Sequence, residues 1–192
     1  EQAWQWFTKN GGVQRRPYWW DRPRFGPPRR LTPVVGVIWY EAAAYCAWLN
    51  RHWKEDEAAR EAMGAMFGGQ FQLRLPREPE WVAAAGGEQE KRFPWGDGGE
   101  VHYPANTAES KLQRTTPVCM YPLGRSPLGV MDMGGNVWEW QANLLEKGQR
   151  SRAIRGGSWS DGVSFARVAA RLGYHPYDDY TYIGFRVGAF PG

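Results

Sequence analysis

The side chains that most often do chemistry in proteins are sparse in this chain and widely separated. Its two cysteines, Cys46 and Cys119, lie too far apart for a short metal-binding or redox motif. They could form one disulfide or remain two buried thiols, and buried thiols are the favoured interpretation. The three histidines, His52, His102 and His175, form no ligand-like pair. No spacing indicates a Ser/His/Asp arrangement or a phosphate-binding glycine loop, so the residues alone indicate no catalytic site.

The C-terminal residues 160–192 differ in composition from the rest of the chain. These 33 residues contain no Lys, Glu, Gln, Met or Trp, although the five types supply 44 of the preceding 159 residues. At that rate roughly nine would be expected. The segment's four tyrosines offer large amphipathic contact area with few rotatable bonds, while its Ser, Gly, Asp and His residues can adapt their hydrogen bonds. This mixture is typical of a protein-binding surface, and the alternative is an ordinary loop that happens to lack five residue types.

The elements that would position these residues are few and short. Apolar spacing predicts a helix over residues 41–53, with one apolar face formed by Ala44, Tyr45, Trp48, Leu49 and Trp53. A second helix is predicted over residues 78–85, where Pro79 suits an early helical position. Residues 2–9 could be the end of a third helix. Short strands are predicted at residues 118–121, 137–141, 153–155 and 183–187.

Composition is ordinary for a folded domain. The chain has 192 residues, is 42% apolar and shows no repeat or change in composition, so one domain over residues 1–192 is predicted. The net charge is +4, but the basic residues are scattered, and the arginine-rich stretch 22–30 is best explained as a solvated irregular loop. No nucleic-acid partner is therefore predicted. No apolar run is long enough to cross a membrane. Because the first residue is Glu, we expect a fragment, which could belong to a longer multidomain protein.

Nine phrases, in register along nearly the whole chain, resemble the formylglycine-generating enzyme, or sulfatase-modifying factor, family. The first five are Pro33-Val34-Val35-Gly36-Val37, Trp39-Tyr40-Glu41-Ala42, Leu75-Pro76-Arg77-Glu78-Pro79-Glu80-Trp81, Phe93-Pro94-Trp95-Gly96-Asp97 and Ala105-Asn106-Thr107. The others are Thr116-Pro117-Val118, Gly134-Gly135-Asn136-Val137-Trp138-Glu139-Trp140, Arg155-Gly156-Gly157-Ser158-Trp159 and Ile183-Gly184-Phe185-Arg186-Val187. The resemblance implies a C-type-lectin-like α+β fold with two or three helices, short antiparallel strands and much irregular structure. The family's opening strands are missing, so an N-terminally incomplete domain is expected.

The resemblance also indicates that catalysis is lost. Enzymes of the family oxidise a substrate cysteine with a copper-binding pair of cysteines just after the Gly-Gly-Ser-aromatic phrase, because thiolates hold Cu(I) well. Here the corresponding residues 160–171 contain no cysteine. A related branch uses iron held by three histidines, for which this chain has no matching set. We therefore expect no enzyme, no catalytic residues and no required cofactor, with a copper-dependent oxidase as a less favoured alternative.

A structural calcium site is one further implication of the resemblance. Residues 132–139 are similar to a family calcium loop, with donors predicted from Asp132, Gly135, Val137 and Glu139. Carboxylates and turned-in carbonyls are the hard oxygen ligands that Ca²⁺ prefers. Alternatively, Asp132 and Glu139 accept backbone or arginine hydrogen bonds in a tight turn, and the residues alone do not decide between the two.

Some members of the family are variable proteins of diversity-generating retroelements, in which template adenines, typically in AAC codons, are replaced at random. Replacing both adenines and keeping the final C can never encode Lys, Glu, Gln, Met or Trp, the types absent here. A variable ligand-binding region over residues 157–187 is therefore predicted. Its candidate contact residues are Ser160, Asp161, Gly162, Ser164, Phe165, Leu172, Gly173, Tyr174, His175, Tyr177, Asp178, Tyr180, Thr181 and Tyr182. Framework residues separate them at Gly157, Ser158, Trp159, Val163, 166–171, Pro176 and 183–187.

The favoured function is thus a non-catalytic binding protein that displays a retroelement-diversified surface to a protein ligand. The alternative is a non-diversified, inactive family member that serves as a sensor or scaffold module. A bacterial or phage origin is expected. The compartment is open, with the cytoplasm slightly favoured.

Overall fold

Three α-helices are present in the part of the chain that the computed structural model describes. The described residues are 16–25, 31–67, 71–87, 91–97 and 104–191. The helices are α1 (Trp39–His52), α2 (Glu57–Phe67) and α3 (Glu78–Ala84). The predictions over residues 41–53 and 78–85 are therefore confirmed, α2 was missed, and the predicted helix at 2–9 lies outside the described residues. Within these ranges no helix combines the length and apolar character that a membrane span requires.

Six short strands form two sheets. They are β1 (Phe71–Arg74), β2 (Trp138–Leu144), β3 (Arg152–Arg155), β4 (Arg171–Tyr174), β5 (Ile183–Gly184) and β6 (Gly188–Pro191). Strands β1 and β6 pair antiparallel, and the second sheet has the order β4-β3-β2-β5. In that sheet β2 and β5 run parallel, while the other pairs are antiparallel. Helices and short strands joined by long irregular segments confirm the predicted α+β fold.

Helix α1 packs on the core through its small residues. Its start is fixed by the Glu41 carboxylate, whose Oε2 accepts a hydrogen bond from the Ile38 backbone N–H at 2.9 Å. Ala42 and Cys46 are buried, whereas Tyr45 and Trp48 are 46% and 51% exposed. The predicted apolar face was therefore wrong at these two aromatic residues and at Ala44, which is also exposed. The two aromatic rings stack on each other, with centroids 5.8 Å apart, so they bury part of their apolar area in mutual contact.

The core lies between α1 and the four-stranded sheet. Trp138 and Trp140 of β2 are almost fully buried, together with Ile154 and Ile183 of the flanking strands. The Trp140 indole N–H donates to the Val37 carbonyl at 2.9 Å, which satisfies its polar atom inside the core. The sheet is thereby fixed to the segment that precedes α1.

A buried ion network joins α3 to the start of β4. The Glu78 carboxylate accepts hydrogen bonds from Arg155 Nε at 2.7 Å and from Arg171 Nη2 at 2.8 Å. Asn143 Nδ2 donates to the same carboxylate at 2.9 Å. Two guanidinium groups and an amide compensate the desolvation of Glu78, which is only 7% exposed. The network fixes Arg171 where the chain enters β4.

Two predictions about local structure need correction. Residues 118–121 form a turn instead of a strand, because Cys119 has a left-handed φ of 63° and its N–H donates to Asp132 Oδ2 at 2.7 Å. Both cysteines are free thiols, but only Cys46 is buried, so the expectation of two buried thiols holds for one of them. The strand predicted at 183–187 is limited to β5, and β1 and β4 were missed because four-residue strands carry little periodicity.

Candidate ligand-binding surface

A glycine turn after β3 directs the chain back across the end of the sheet. Gly157 has a φ of +73°, and a Cβ added there would lie 2.8 Å from the backbone carbonyl carbon of Phe165. Only glycine permits both the left-handed backbone and this close approach. The turn positions residues 160–182, which we call the candidate surface. They comprise a 3₁₀ turn at Val163–Ala166, strand β4 and the loop that leads into β5.

Tyr174, Tyr180 and Tyr182 come together as a tyrosine cluster. The rings of Tyr180 and Tyr182 stack almost parallel, with centroids 5.1 Å apart and an interplanar angle of 7°. Tyr174 meets Tyr180 edge to face at 5.2 Å, and its hydroxyl lies 3.3 Å from that of Tyr182. Tyr180 is the most exposed of the three, with 41% of its surface accessible. Ring contacts restrict the side chains before any ligand binds, which lowers the entropic cost of recognition.

A second aromatic group adjoins the loop of residues 175–178. His175 and Tyr177 have ring centroids 5.2 Å apart, and Tyr177 meets Tyr40 of α1 at 5.1 Å. The His175 backbone N–H donates to Asp178 Oδ2 at 2.9 Å, which closes the turn between them. Tyr40 was absent from the sequence-based set because it lies far from the candidate surface along the chain.

The opposite end of the surface contains Ser160, Ser164 and Phe165, all of them exposed. Phe165 packs edge to face against Trp138, with centroids 6.1 Å apart. Asp161 is different, because its Oδ2 accepts hydrogen bonds from the Trp138 indole N–H at 2.9 Å and from the buried Ser158 hydroxyl. Asp161 therefore supports the loop as well as bordering the surface. Gly162 lies beside Glu109, 3.4 Å from the position of an added Cβ.

Three other candidate positions lie where the surface meets the sheet. Leu172 is 37% exposed on β4. Gly173 pairs with Ala153, and a Cβ added to it would come within 2.5 Å of the Leu145 side chain. The Thr181 carbonyl accepts a hydrogen bond from the Trp159 indole at 3.3 Å. Gly173 and Thr181 thus combine partial exposure with structural contacts.

Residues 16–25 support the candidate surface, and this contribution was not predicted from the sequence. The Trp19 indole donates to the Asp179 carbonyl at 3.0 Å, and the Gly36 N–H donates to the Tyr180 carbonyl at 3.2 Å. The Arg24 guanidinium lies 5.4 Å from the Trp159 ring. The aromatic content of this stretch was the available signal, but the solvated-loop interpretation of residues 22–30 covered its last four residues.

The electrostatic environment of the tyrosine cluster is negative. The charge of Asp178 raises the pKa of Tyr180, with partial burial, Tyr174 and Asp179 adding to the effect. Burial, and then Asp178, raises the pKa of the Asp179 carboxyl. Burial also raises the pKa of Tyr182, assisted by Tyr174, Tyr180 and Asp161. The phenols of Tyr180 and Tyr182 therefore stay protonated at neutral pH and can donate hydrogen bonds.

Arginine, rather than an arrangement of open oxygen ligands, occupies the predicted calcium loop. Glu139 accepts hydrogen bonds from Arg186 at 2.5 and 2.6 Å and from the Trp81 indole at 2.7 Å. Arg186 Nη2 also donates to the Asp132 carbonyl at 3.1 Å. The Gly135 carbonyl accepts a hydrogen bond from the Val137 N–H at 2.9 Å. Because Arg186 already supplies the positive charge, this arrangement does not fit a bound cation and matches the alternative of arginine and backbone hydrogen bonds.

Elsewhere in the described residues, no cluster of side chains is suited to a metal ion or to thiol chemistry. No group of three or more His, Cys, Asp or Glu side chains within them could hold a metal ion. Burial raises the pKa of Cys46 to about 11, so this thiol stays protonated at neutral pH and is a poor nucleophile. His52 contacts the Trp48 carbonyl and ring, and His102 lies outside the described residues.

The fold and surface define a C-type-lectin-like α+β domain that presents an aromatic face. The chain belongs to the sulfatase-modifying factor enzyme 1-like domain family, whose model matches residues 1–189. It is 33% identical over 176 residues to the inactive C-alpha-formylglycine-generating enzyme 2 of Mus musculus, covering 83% of this chain and 50% of that protein. It is 29% identical over 236 residues to the hercynine oxygenase of Mycolicibacterium thermoresistibile, covering 96% of this chain and 47% of that protein.

Among solved structures, the fold is similar to that of Treponema denticola variable protein 1. The TM-score is 0.68 at 22% identity, and the match covers 100% of this chain and 81% of that one. The chain spans about half the length of the two curated relatives above. Because the family includes both an enzyme and a protein named inactive, membership alone does not determine activity.

Proposed function

We propose that this chain is a non-catalytic binding domain whose candidate surface recognises a protein ligand and has been diversified by a retroelement. One observation carries the proposal. All 14 candidate contact residues are exposed or half-buried, whereas every buried residue in 157–187 is one of the predicted framework residues. Those buried framework residues are Gly157, Ser158, Ala166, Val168, Pro176, Ile183 and Gly184. Diversification at exposed positions on an invariant framework produces this separation, because new side chains can then be accepted without repacking the core.

The chemistry of the site supports a binding role over catalysis. The stretch after the Gly-Gly-Ser-Trp phrase has no cysteine, and the Cys46 thiol is buried. The aromatic and small polar side chains match those of surfaces that bind proteins. With copper and a cysteine-containing peptide as substrate, we expect no aldehyde product, and turnover above the copper-only background would overturn the non-catalytic assignment.

A non-diversified inactive module is the second candidate, favoured by the similarity to a mouse protein named inactive. The DNA around the gene separates the two. Diversification requires a reverse transcriptase gene and a near-copy of the coding stretch for residues 160–187 that differs from it only at adenines. If sequencing of the locus finds neither, the second candidate is preferred.

The scaffold property can be tested on the protein itself. Random replacement of Ser160, Ser164, Leu172, His175 and Tyr180 should leave most variants folded, because these side chains are exposed. The matched library replaces the buried framework residues Ser158, Ala166, Val168 and Pro176 and should leave few folded. Yeast display with a conformation-sensitive protease measures both fractions. Equal tolerance in the two libraries would contradict the proposal.

A further inference from the structure

The two ends of the candidate surface differ in charge. At the end with Phe165 the charges are of both signs, because Arg167 donates its Nε hydrogen to the Ser164 carbonyl and Glu109 accepts a hydrogen bond from the Val163 N–H. At the other end, Asp178 and Asp179 directly precede Tyr180 in the loop beside the tyrosine cluster. The net charge of the whole chain is +4, so these two aspartates place negative charge locally on a protein that is positive overall.

The cations nearest to the tyrosine cluster along β3 and β4 are already engaged. Arg152, the strand partner of Tyr174, places its guanidinium 3.7 Å from the Trp39 ring centroid and donates to the Ala142 carbonyl. Arg171 is paired with Glu78 and Glu146. Neither guanidinium is paired with Asp178 or Asp179 in these contacts.

The rings themselves are suited to a positive charge. The face of an aromatic ring is electron-rich and attracts a cation within about 6 Å of its centroid. Tyr180 is 41% exposed and stacked on Tyr182, and Tyr174 meets both rings edge to face. A carboxylate beside such a face adds charge attraction, and a planar guanidinium can stack on the ring while it pairs with the carboxylate.

We infer that the tyrosine cluster and Asp178 bind an arginine or lysine side chain of the protein ligand. This inference rests on the proposed function and specifies the chemistry of the partner. Anionic partners are disfavoured at this end of the surface because the aspartates repel them. Arginine should bind more tightly than lysine, since only its guanidinium can both stack and donate two parallel hydrogen bonds.

The test uses three peptides of identical length: Ac-Gly-Arg-Gly-Arg-Gly-NH₂, its citrulline counterpart and its glutamate counterpart. Citrulline keeps the shape of arginine and removes the charge. Binding is followed by NMR of the protein with ¹³C-labelled tyrosine rings. We expect saturable shifts at Tyr174, Tyr180 and Tyr182 with the arginine peptide, and an affinity about threefold to tenfold higher than with citrulline. Equal affinities would overturn the inference.

Variants identify the groups responsible. Tyr180→Ala should lower the affinity for the arginine peptide at least threefold. Tyr180→Phe, which retains the ring, should bind it with an affinity within twofold of the wild type. Asp178→Asn keeps an oxygen acceptor for the His175 N–H and should also weaken binding. Tyr45→Ala, at a tyrosine of similar exposure on α1, is the matched control and should have no effect. Unchanged binding by Tyr180→Ala would overturn the inference.

Failure of this inference is distinguishable from failure of the proposed function. A protein ligand could be found whose binding is lost in Tyr180→Ala but is insensitive to Asp178→Asn and to salt. The proposed function would then stand, and the cationic partner would be wrong. If a selected ligand instead binds independently of every candidate contact residue, the proposed function itself fails.

Discussion

At the scale of single residues, pairing decides which carboxylates are available to a ligand. Glu78 is enclosed by Arg155 and Arg171, and Glu139 is held by Arg186. Asp161 accepts the Trp138 indole hydrogen. Asp178, by contrast, is half-buried in the loop before Tyr180, where its carboxylate accepts a hydrogen bond from the His175 backbone N–H. Acidic residues of one chain therefore serve as core anchors in one place and as surface charge in another.

Because of Glu78, the free energy of unfolding should fall at acidic pH. Burial alone would raise its pKa, but hydrogen bonds from Arg171 and Asn143 and the charges of Arg155 and Arg171 lower it below the ordinary value of 4.5. The stabilisation is therefore fully present above pH 4.5 and is lost as pH falls through the lower folded-state pKa. Glu78→Gln should lose about 3 kcal/mol of unfolding free energy at pH 7 and show a shallower decline below pH 4.5.

Urea unfolding across this pH range measures the effect. Glu146→Gln is the control, because Glu146 contacts the same Arg171 but is 57% exposed in its side chain. Its unfolding free energy should follow that of the wild type at every pH. Parallel curves for Glu78→Gln and the wild type would contradict the assignment.

At the scale of elements, the turn at Gly156-Gly157 determines where the candidate surface begins. It connects β3 to the loop that contains Phe165, whose backbone lies close to Gly157, and Asp161 then fixes that loop to Trp138 of β2. At the far end, Trp138 N–H donates to the Tyr182 carbonyl, and β5 follows as the parallel partner of β2. Both ends of the surface are therefore attached to the same central strand.

Gly157→Ala should disrupt this attachment. A left-handed backbone conformation costs alanine about 1 kcal/mol or more in conformational free energy. Here the alanine Cβ would also lie 2.8 Å from Phe165 backbone atoms. Gly148→Ala is the matched control, because Gly148 has a φ of +88° but open space around an added Cβ. Denaturant unfolding should show a loss at least about 1 kcal/mol larger for Gly157→Ala than for Gly148→Ala. Equal losses would mean that the close approach of the added Cβ to the Phe165 backbone does not destabilise the fold.

At the scale of the whole molecule, the surface is carried by a core of tryptophans and internal ion pairs. Trp81, Trp138 and Trp140 are each at most 1% exposed. Their indole N–H groups bind Glu139, Asp161 and the Val37 carbonyl. Packing and polar satisfaction are thus combined in the same three side chains.

Stability of the whole domain should accordingly be independent of calcium. Arg186 holds both oxygens of Glu139, so a cation would have to displace a bidentate ion pair. We expect the melting temperature to be the same in millimolar calcium and after chelation, with magnesium as the control for ionic strength. A rise that calcium alone produces would restore the calcium hypothesis.

The sequence determined the features that depend on local chemistry. Apolar spacing and Pro79 located α1 and α3. The division of residues 157–187 into candidate contacts and framework positions rests on the family resemblance and stays a prediction.

Only the tertiary structure decided which distant residues meet. Tyr40 joins Tyr177, Trp19 binds the Asp179 carbonyl, and Arg186 fills the loop where calcium was predicted. It also showed that α1 buries Ala42 and Cys46 instead of its large aromatics. These contacts depend on packing between segments far apart in the chain, and no periodicity or short motif records such packing. Thus the residue types of the tyrosine-rich segment indicated a binding surface, while the fold determined its shape, its neighbours and its charge.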